Sequence, residues 1–189
     1  GSEMCIRDRP TPLPLSEAES NTFCVLLKNF PNVEALASAS LEEVYKMWEG
    51  LGYYRRAKHI HESAQIILEK YQGVFPYEYD AILSLKGIGE YTAGAISSIA
   101  YGKQVPAVDG NVLRIISRYY LIKENIAATK VQKKIYQIVQ ELILNHDASA
   151  FNQGMMDLGA TICKPVHPLC LECPIQKGCL ASVSYTHLT

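Results

Sequence analysis

LSLKGIGEYTAGAI, residues Leu83 to Ile96, is the stretch that decides the fold. Gly87 and Gly89 flank Ile88 between two segments of helical pattern. Glycine takes positive φ at little steric cost, so the pair predicts a tight hairpin between helices. The second helix starts near Glu90, and its first backbone N–H groups lack partners inside the helix. Together with the helix dipole they make a place for a phosphate. A Gly-x-Gly pair often does no more than join two helices. Here the apolar Ile88 and the helical flanks favour contact with a DNA backbone, which positions a protein without reading sequence. The DNA-binding candidates are Gly87, Ile88, Gly89 and, on the first turn, Thr92.

Helical periodicity extends on both sides of this hairpin. Phe23, Leu26, Leu27 and Phe30 recur at helical spacing until Pro31. Ser40 is placed to cap Leu41 to Trp48, with Glu43 completing a capping box. Further helices are predicted over Tyr54 to Tyr71, Tyr77 to Leu83, Glu90 to Tyr101, Asn111 to Tyr120, Thr129 to Leu144 and Ala148 to Ala160. No strand-like alternation competes, so the class is all-α.

Near the end, CKPVHPLCLECPIQKGC places Cys163, Cys170, Cys173 and Cys179 at the spacing C-x6-C-x2-C-x5-C. Thiolates this close in one loop point to a metal or iron–sulfur site. The loop is too short to own a core, and a bound group would hold it folded. Zinc and an iron–sulfur cluster both accept sulfur-only ligation, and spacing leaves the two open. Disulfides fit poorly, because residues 1 to 30 show no export leader. Cys24 lies in an apolar helical pattern and is expected to be a small core residue.

With 189 residues, 48% of them apolar, the chain can bury a sizeable core. Its net charge of −1 neither requires nor excludes a nucleic-acid partner, since a neutral total can hide a basic face. No stretch is apolar enough to span a membrane, and free cysteines suggest the cytoplasm. Residues 1–9 (GSEMCIRDR) and 183–189 (VSYTHLT) resemble translations of a transposase sequencing adapter read in opposite directions. They are expected to be scars outside the fold, which leaves Cys5 without a role. Residues 10–20, PTPLPLSEAES, read as loop.

LKGIGEYTAGAI, VPAVDGNVLR, FNQGMMDLGATIC, the cysteine loop and GLGYYRRAKHIH (Gly50 to His61) together resemble the helix–hairpin–helix (HhH-GPD) DNA glycosylase superfamily. Within it they are similar to the MutY-type adenine glycosylases. The resemblance runs from about Phe23 to Cys179. It implies two helical lobes, 10–105 with the hairpin at 78–101, and 106–182 with a [4Fe-4S] loop at 163–179. It implies hydrolytic removal of adenine mispaired with 8-oxoguanine or guanine in double-stranded DNA, by a monomer in the cytoplasm. Asp109 matches the catalytic aspartate, whose charge stabilises a sugar turning cationic as the base leaves. Without the resemblance, Asp-Gly-Asn is an ordinary turn and helix cap, and the two roles are compatible. Asn111 matches a neighbouring amide. At Tyr91, the endonuclease III branch carries a lysine that forms a Schiff base and cuts the strand. A tyrosine cannot, which implies base removal by water. Tyr53 matches an intercalating wedge, with one of Tyr53 and Tyr54 expected in the core. Arg55, Arg56 and Lys58 follow on the helix, facing either phosphate or solvent. Arg114 is expected to reach the cysteine loop and donate to a thiolate.

The resemblance fails at one point. The family's general acid is a glutamate in a run like EVMLQQT, which here falls at Asp8, and PLPL stands at 12–15 in place of the glutamines. The 189-residue chain is therefore expected to lack that acid, and the family's 8-oxoguanine-recognising domain is not in this sequence. Two rival functions remain: a thymine-mismatch or other monofunctional glycosylase, and a non-catalytic iron–sulfur module that binds DNA.

Overall fold

The computed structural model describes residues 24–183. The expected scars, apart from Val183, lie outside these residues, as do Phe23 and the loop 10–20. The described residues contain helices and no strand. Contacts divide the chain into two compact units, Gly1–Phe75 and Pro76–Thr189. This division is by compactness, and lobes split at 105/106 are a separate matter.

In the first unit, α1 (helical over 24–29), α2 (Val33–Ser38), α3 (Leu41–Met47) and α4 (Tyr54–Tyr71) follow one another. Asn32 starts α2 by accepting a hydrogen bond from the Ala35 N–H at 2.8 Å. Sequence periodicity missed α2, because its six residues are too few to show a period. Ser40 caps α3 as expected. Its hydroxyl accepts from the Glu43 N–H at 3.2 Å, and the Glu43 carboxylate accepts from the Ser40 N–H at 2.8 Å. That Ser40 N–H, and then the Ser40 hydroxyl donating to the same carboxylate at 2.9 Å, hold the Glu43 carboxyl below its ordinary range. Val44, Trp48 and Ala57 form the core of this unit, with Leu26 and Phe30 packed on it. Cys24, expected in a core, is exposed. Leu26 and Phe30, four apart, define the inward face of α1, and Cys24 lies about 200° round the helix from Leu26.

The second unit holds α5 (Tyr79–Leu83), α6 (Glu90–Tyr101), α7 (Gly110–Tyr119), α8 (Thr129–Ile143), α9 (Ala148–Thr161), two 3-10 turns (Cys170–Glu172 and Gln176–Gly178) and α10 (Leu180–Val183). α5 starts two residues later than its pattern suggests. Glu78 is extended at the N-cap and pairs with Lys103 at 2.9 Å, while the Tyr77 ring lies edge-on to Tyr101. Val112 and Ile116 of α7 and Val131, Ile135, Val139 and Ile143 of α8 form the core. α6 meets the segment 105–107 at Gly94, where any side chain would collide with the Pro106 carbonyl. Asn152 of α9 is fully buried and ties this junction. Its amide donates to the Ser98 hydroxyl (2.8 Å) and the Val105 carbonyl (3.0 Å), and its oxygen accepts from the Ala107 N–H (3.1 Å). These bonds fix the segment that leads into Asp109.

Candidate active site

Asp109 is the N-cap of α7. One carboxylate oxygen accepts from the Val112 N–H at 2.9 Å and the other from the Asn111 side-chain amide at 2.9 Å. The Asn111 oxygen in turn accepts from the Arg114 guanidinium at 2.8 Å. Since Arg only donates and a carboxylate only accepts, both neighbours fix the same orientation of the amide. Arg114 also donates to the Gly159 carbonyl and, through Nε, to the Cys163 carbonyl, each at 2.8 Å. Gly159 is glycine for a packing reason, because a Cβ there would sit 2.5 Å from the Asn111 Cβ.

Tyr91, on the first turn of α6, lines one cleft of about 630 Å³ with Asp109. Tyr79, Glu90, Gln132, Lys133 and Tyr136 also line it. Burial, and after it the negative charge of Asp109, push the Tyr91 phenol above its ordinary range. Its hydroxyl points at the Met156 sulfur, 3.7 Å away. Tyr79 is pushed up to about 12, by burial first and then by Tyr136 and Glu90. The cleft thus presents neutral phenols beside the held carboxylate of Asp109 and the carboxylate of Glu90.

At the hairpin, Gly87 takes φ +75°, as expected of a turn glycine. Gly89 does not: it is extended, at φ −99° and ψ 177°. It is the N-cap of α6 with no side-chain cap, and a Cβ there would meet nothing within 4 Å. Its small size therefore leaves the end of α6 open. Ile88 is half-buried, and so is Thr92.

In the first unit, Tyr53 is 79% exposed and Tyr54 43%, so neither lies in the core, contrary to expectation; Tyr54 rests edge-on against Tyr45 at the surface. Arg55, Arg56 and Lys58 are all exposed. Lys58 sits 3.8 Å from Glu62, and Arg56 lies over the Tyr53 ring.

Cys163, Cys170, Cys173 and Cys179 line a single hollow with Ile115, Leu158, Ile162 and Pro168. None forms a disulfide. Burial pushes the Cys170 and Cys173 thiols up, and the neighbouring cysteines push further in the same direction. Thiols so placed need a cation among them to become thiolates. Among the described residues, no three His, Cys, Asp or Glu side chains are arranged to hold one metal ion. Arg114 does not reach a sulfur, contrary to expectation; its bonds go to carbonyls. The next turn of α7 supplies the contact instead. Arg118 donates to the Cys163 Sγ at 3.4 Å and to the Lys164 and Pro165 carbonyls at 2.7 and 3.0 Å. Arg118 was missed in the sequence, although its spacing of four from Arg114 puts both on one face of α7.

The sequence model described as HhH-GPD superfamily base excision DNA repair protein matches residues 17–141. Adenine DNA glycosylase of Buchnera aphidicola from Acyrthosiphon pisum is 45% identical over 161 residues, covering 85% of this chain and 46% of that protein. The Homo sapiens adenine DNA glycosylase is 40% identical over 162 residues, covering 85% of this chain and 30% of that one. The chain thus spans less than half the length of these relatives. Among solved structures, a thermostable thymine-DNA glycosylase superposes with a TM-score of 0.78 at 28% identity, covering 87% of this chain and 76% of that one. Endonuclease III in a non-covalent DNA complex superposes at 0.74 and 22% identity, over 90% and 78% of the two chains, which shows the fold alone. The family match extends over more than half of the chain, and these relatives are 45% and 40% identical to it: the chain belongs to the HhH-GPD superfamily of base excision DNA repair proteins.

Proposed function

We propose that this chain is the glycosylase core of an adenine DNA glycosylase, removing adenine mispaired with 8-oxoguanine or guanine by hydrolysis. The observation that carries the reading is the Asp109 carboxylate, held by Asn111 and the Val112 N–H in the cleft it shares with Tyr91. As the base departs, the sugar gains positive charge, and a fixed carboxylate beneath it lowers that barrier. Asn111 and Arg114 keep the carboxylate from turning away. Tyr91 has no amine with which to attack the sugar, so water completes the reaction. The open end of α6 would hold a phosphate, and Tyr53 would wedge into the duplex beside the target base. The protein would act as a monomer on double-stranded DNA in the cytoplasm, a location supported by its unpaired thiols.

Cys163, Cys170, Cys173 and Cys179 would hold a [4Fe-4S] cluster, which would cross-link the loop between the end of α9 and the start of α10. The fit rests on the donor set, four thiols that line one apolar hollow. No step of base release passes through it.

The test restores a protonating group. An EVMLQQT helix is joined ahead of Phe23, and base release is measured on adenine–8-oxoguanine and thymine–guanine duplexes. Adenine release by the chimera, with little from the 189-residue chain alone, is the expected result. General acid catalysis is worth on the order of a hundred- to ten-thousand-fold. The 28% identity to a thymine-DNA glycosylase favours a second reading, and thymine release by the chimera would establish it. Tight binding with no release of either base would make the chain a DNA-binding module.

A further inference from the structure

The segment between α3 and α4 is built at a local conformational cost. Gly50 and Gly52 take φ +90° and +65°. A Cβ on either would meet nothing within 4 Å, so these glycines serve conformation and not packing. Tyr53 follows in the left-handed region, at φ 47° and ψ 46°, where a bulky side chain is strained. It also occupies the N-cap of an eighteen-residue helix, where a polar side chain is favoured, and makes no capping bond. Its ring is 79% exposed. Strain, a forgone cap and an exposed aromatic at one position mark a residue held for use elsewhere.

Two neighbours hold it. The Trp48 indole N–H donates to the Gly52 carbonyl at 2.8 Å, and the indole itself is buried in the core of the unit. That bond anchors the peptide group joining Gly52 to Tyr53. On the other side, Arg56 stands one turn along α4, with its guanidinium 5.3 Å from the Tyr53 ring centroid. Its backbone N–H also donates to the Tyr53 carbonyl at 2.8 Å. One contact fixes the backbone before the ring, and the other fixes the ring.

We propose that Trp48 and Arg56 are positioning residues that hold Tyr53 outward and left-handed before DNA arrives, so that the wedge enters the duplex already formed. This rests on Tyr53 being the wedge. A protein whose competent state is only partly populated binds more weakly by that fraction. Loosening Tyr53 should therefore weaken binding while leaving the final complex unchanged.

The test uses the full chain and a duplex with an adenine–8-oxoguanine mispair and 2-aminopurine beside the adenine, whose fluorescence rises on unstacking. Arg56→Ala and Trp48→Phe are each measured alone and combined with Tyr53→Ala. Arg56 is exposed, so its variant keeps the fold even if the Trp48 change disturbs the core. Arg56→Ala should weaken binding about two- to five-fold, the range of an exposed cation–π contact. The full fluorescence rise should be reached at saturation, and Arg56→Lys should recover part of the loss. With Tyr53→Ala the rise should disappear, and the two substitutions should then cost nothing more. If they cost the same in both backgrounds, they act on the core or on phosphate, and the inference fails while the wedge stands. A fluorescence rise undiminished in Tyr53→Ala overturns the wedge itself, and the positioning with it.

Discussion

A carboxylate can stabilise a cationic sugar only while it stays both charged and in place. At Asp109 the second condition is met by two donors on its two oxygens, and by an arginine that pins one of those donors. Asp109→Asn keeps the cap bond from the Val112 N–H, removes the charge and turns an amide donor toward the Asn111 amide, which loses its acceptor. In the chimera carrying EVMLQQT it should lower adenine release at least a hundred-fold, in line with the loss of other electrostatic stabilisers. Single-turnover rates check this; a rate within a few-fold of the parent would remove Asp109 from the chemistry. Tyr91→Lys places an amine in the same cleft. Burial, which raises the phenol of Tyr91, would lower an amine there, while the negative charge of Asp109 would raise it. Strand cleavage and a covalent DNA complex trapped by borohydride should then appear, and no trapped complex would mean that position 91 does not face the sugar. Both residues were legible in the sequence because each sits in a short run with a distinctive order. Arg118 was not, since a lone arginine on a helix is usually a solvated one, and only packing shows it buried at a sulfur.

Between elements, close approach at glycine decides the geometry. α7 and α9 touch where Asn111 lies on Gly159. Gly159→Ala should force them apart, cost about 1–3 kcal/mol as overpacking does, and pull Asn111 from Asp109. Urea unfolding should report the first effect, and a fall in base release at saturating DNA the second. Unchanged release would show that Asn111 tolerates the shift. The hairpin glycines divide the work differently from their symmetrical look in the sequence. Gly87 supplies the turn; Gly89 is extended and supplies clearance at the end of α6. Gly89→Val should therefore fold normally, because its side chain meets nothing. It should weaken DNA binding about ten-fold or more by occupying the place of a phosphate; unaltered affinity in an anisotropy titration would count against the hairpin as a DNA contact.

At the scale of the molecule, the cysteine loop is joined to the second unit through Arg114, Arg118 and backbone, with four thiols turned into one hollow. Iron and acid-labile sulfide should be found in equal amounts in protein purified without oxygen, and zinc in their place would overturn the cluster. Cys173→Ser should lower the stability of the second unit specifically, since the free energy of binding the group is folding free energy there. Proteolysis that spared residues 164–183 in this variant would show the loop to be held by protein contacts alone. The helical class, most helix limits, the hairpin and the grouping of thiols are legible in the residues, because each is local, set by periodicity, capping or spacing within about twenty residues. The candidate role of Asp109 came from the resemblance to a family, since its run alone reads as a turn and a cap. Only the tertiary structure decided that Cys24 is exposed, that Arg118 and not Arg114 meets a sulfur, that Asn152 secures the approach to Asp109, and that Trp48 anchors the turn before Tyr53. The Arg118 and Asn152 contacts join residues some 45 positions apart, and no local pattern records which groups the packing of helices brings within a hydrogen bond.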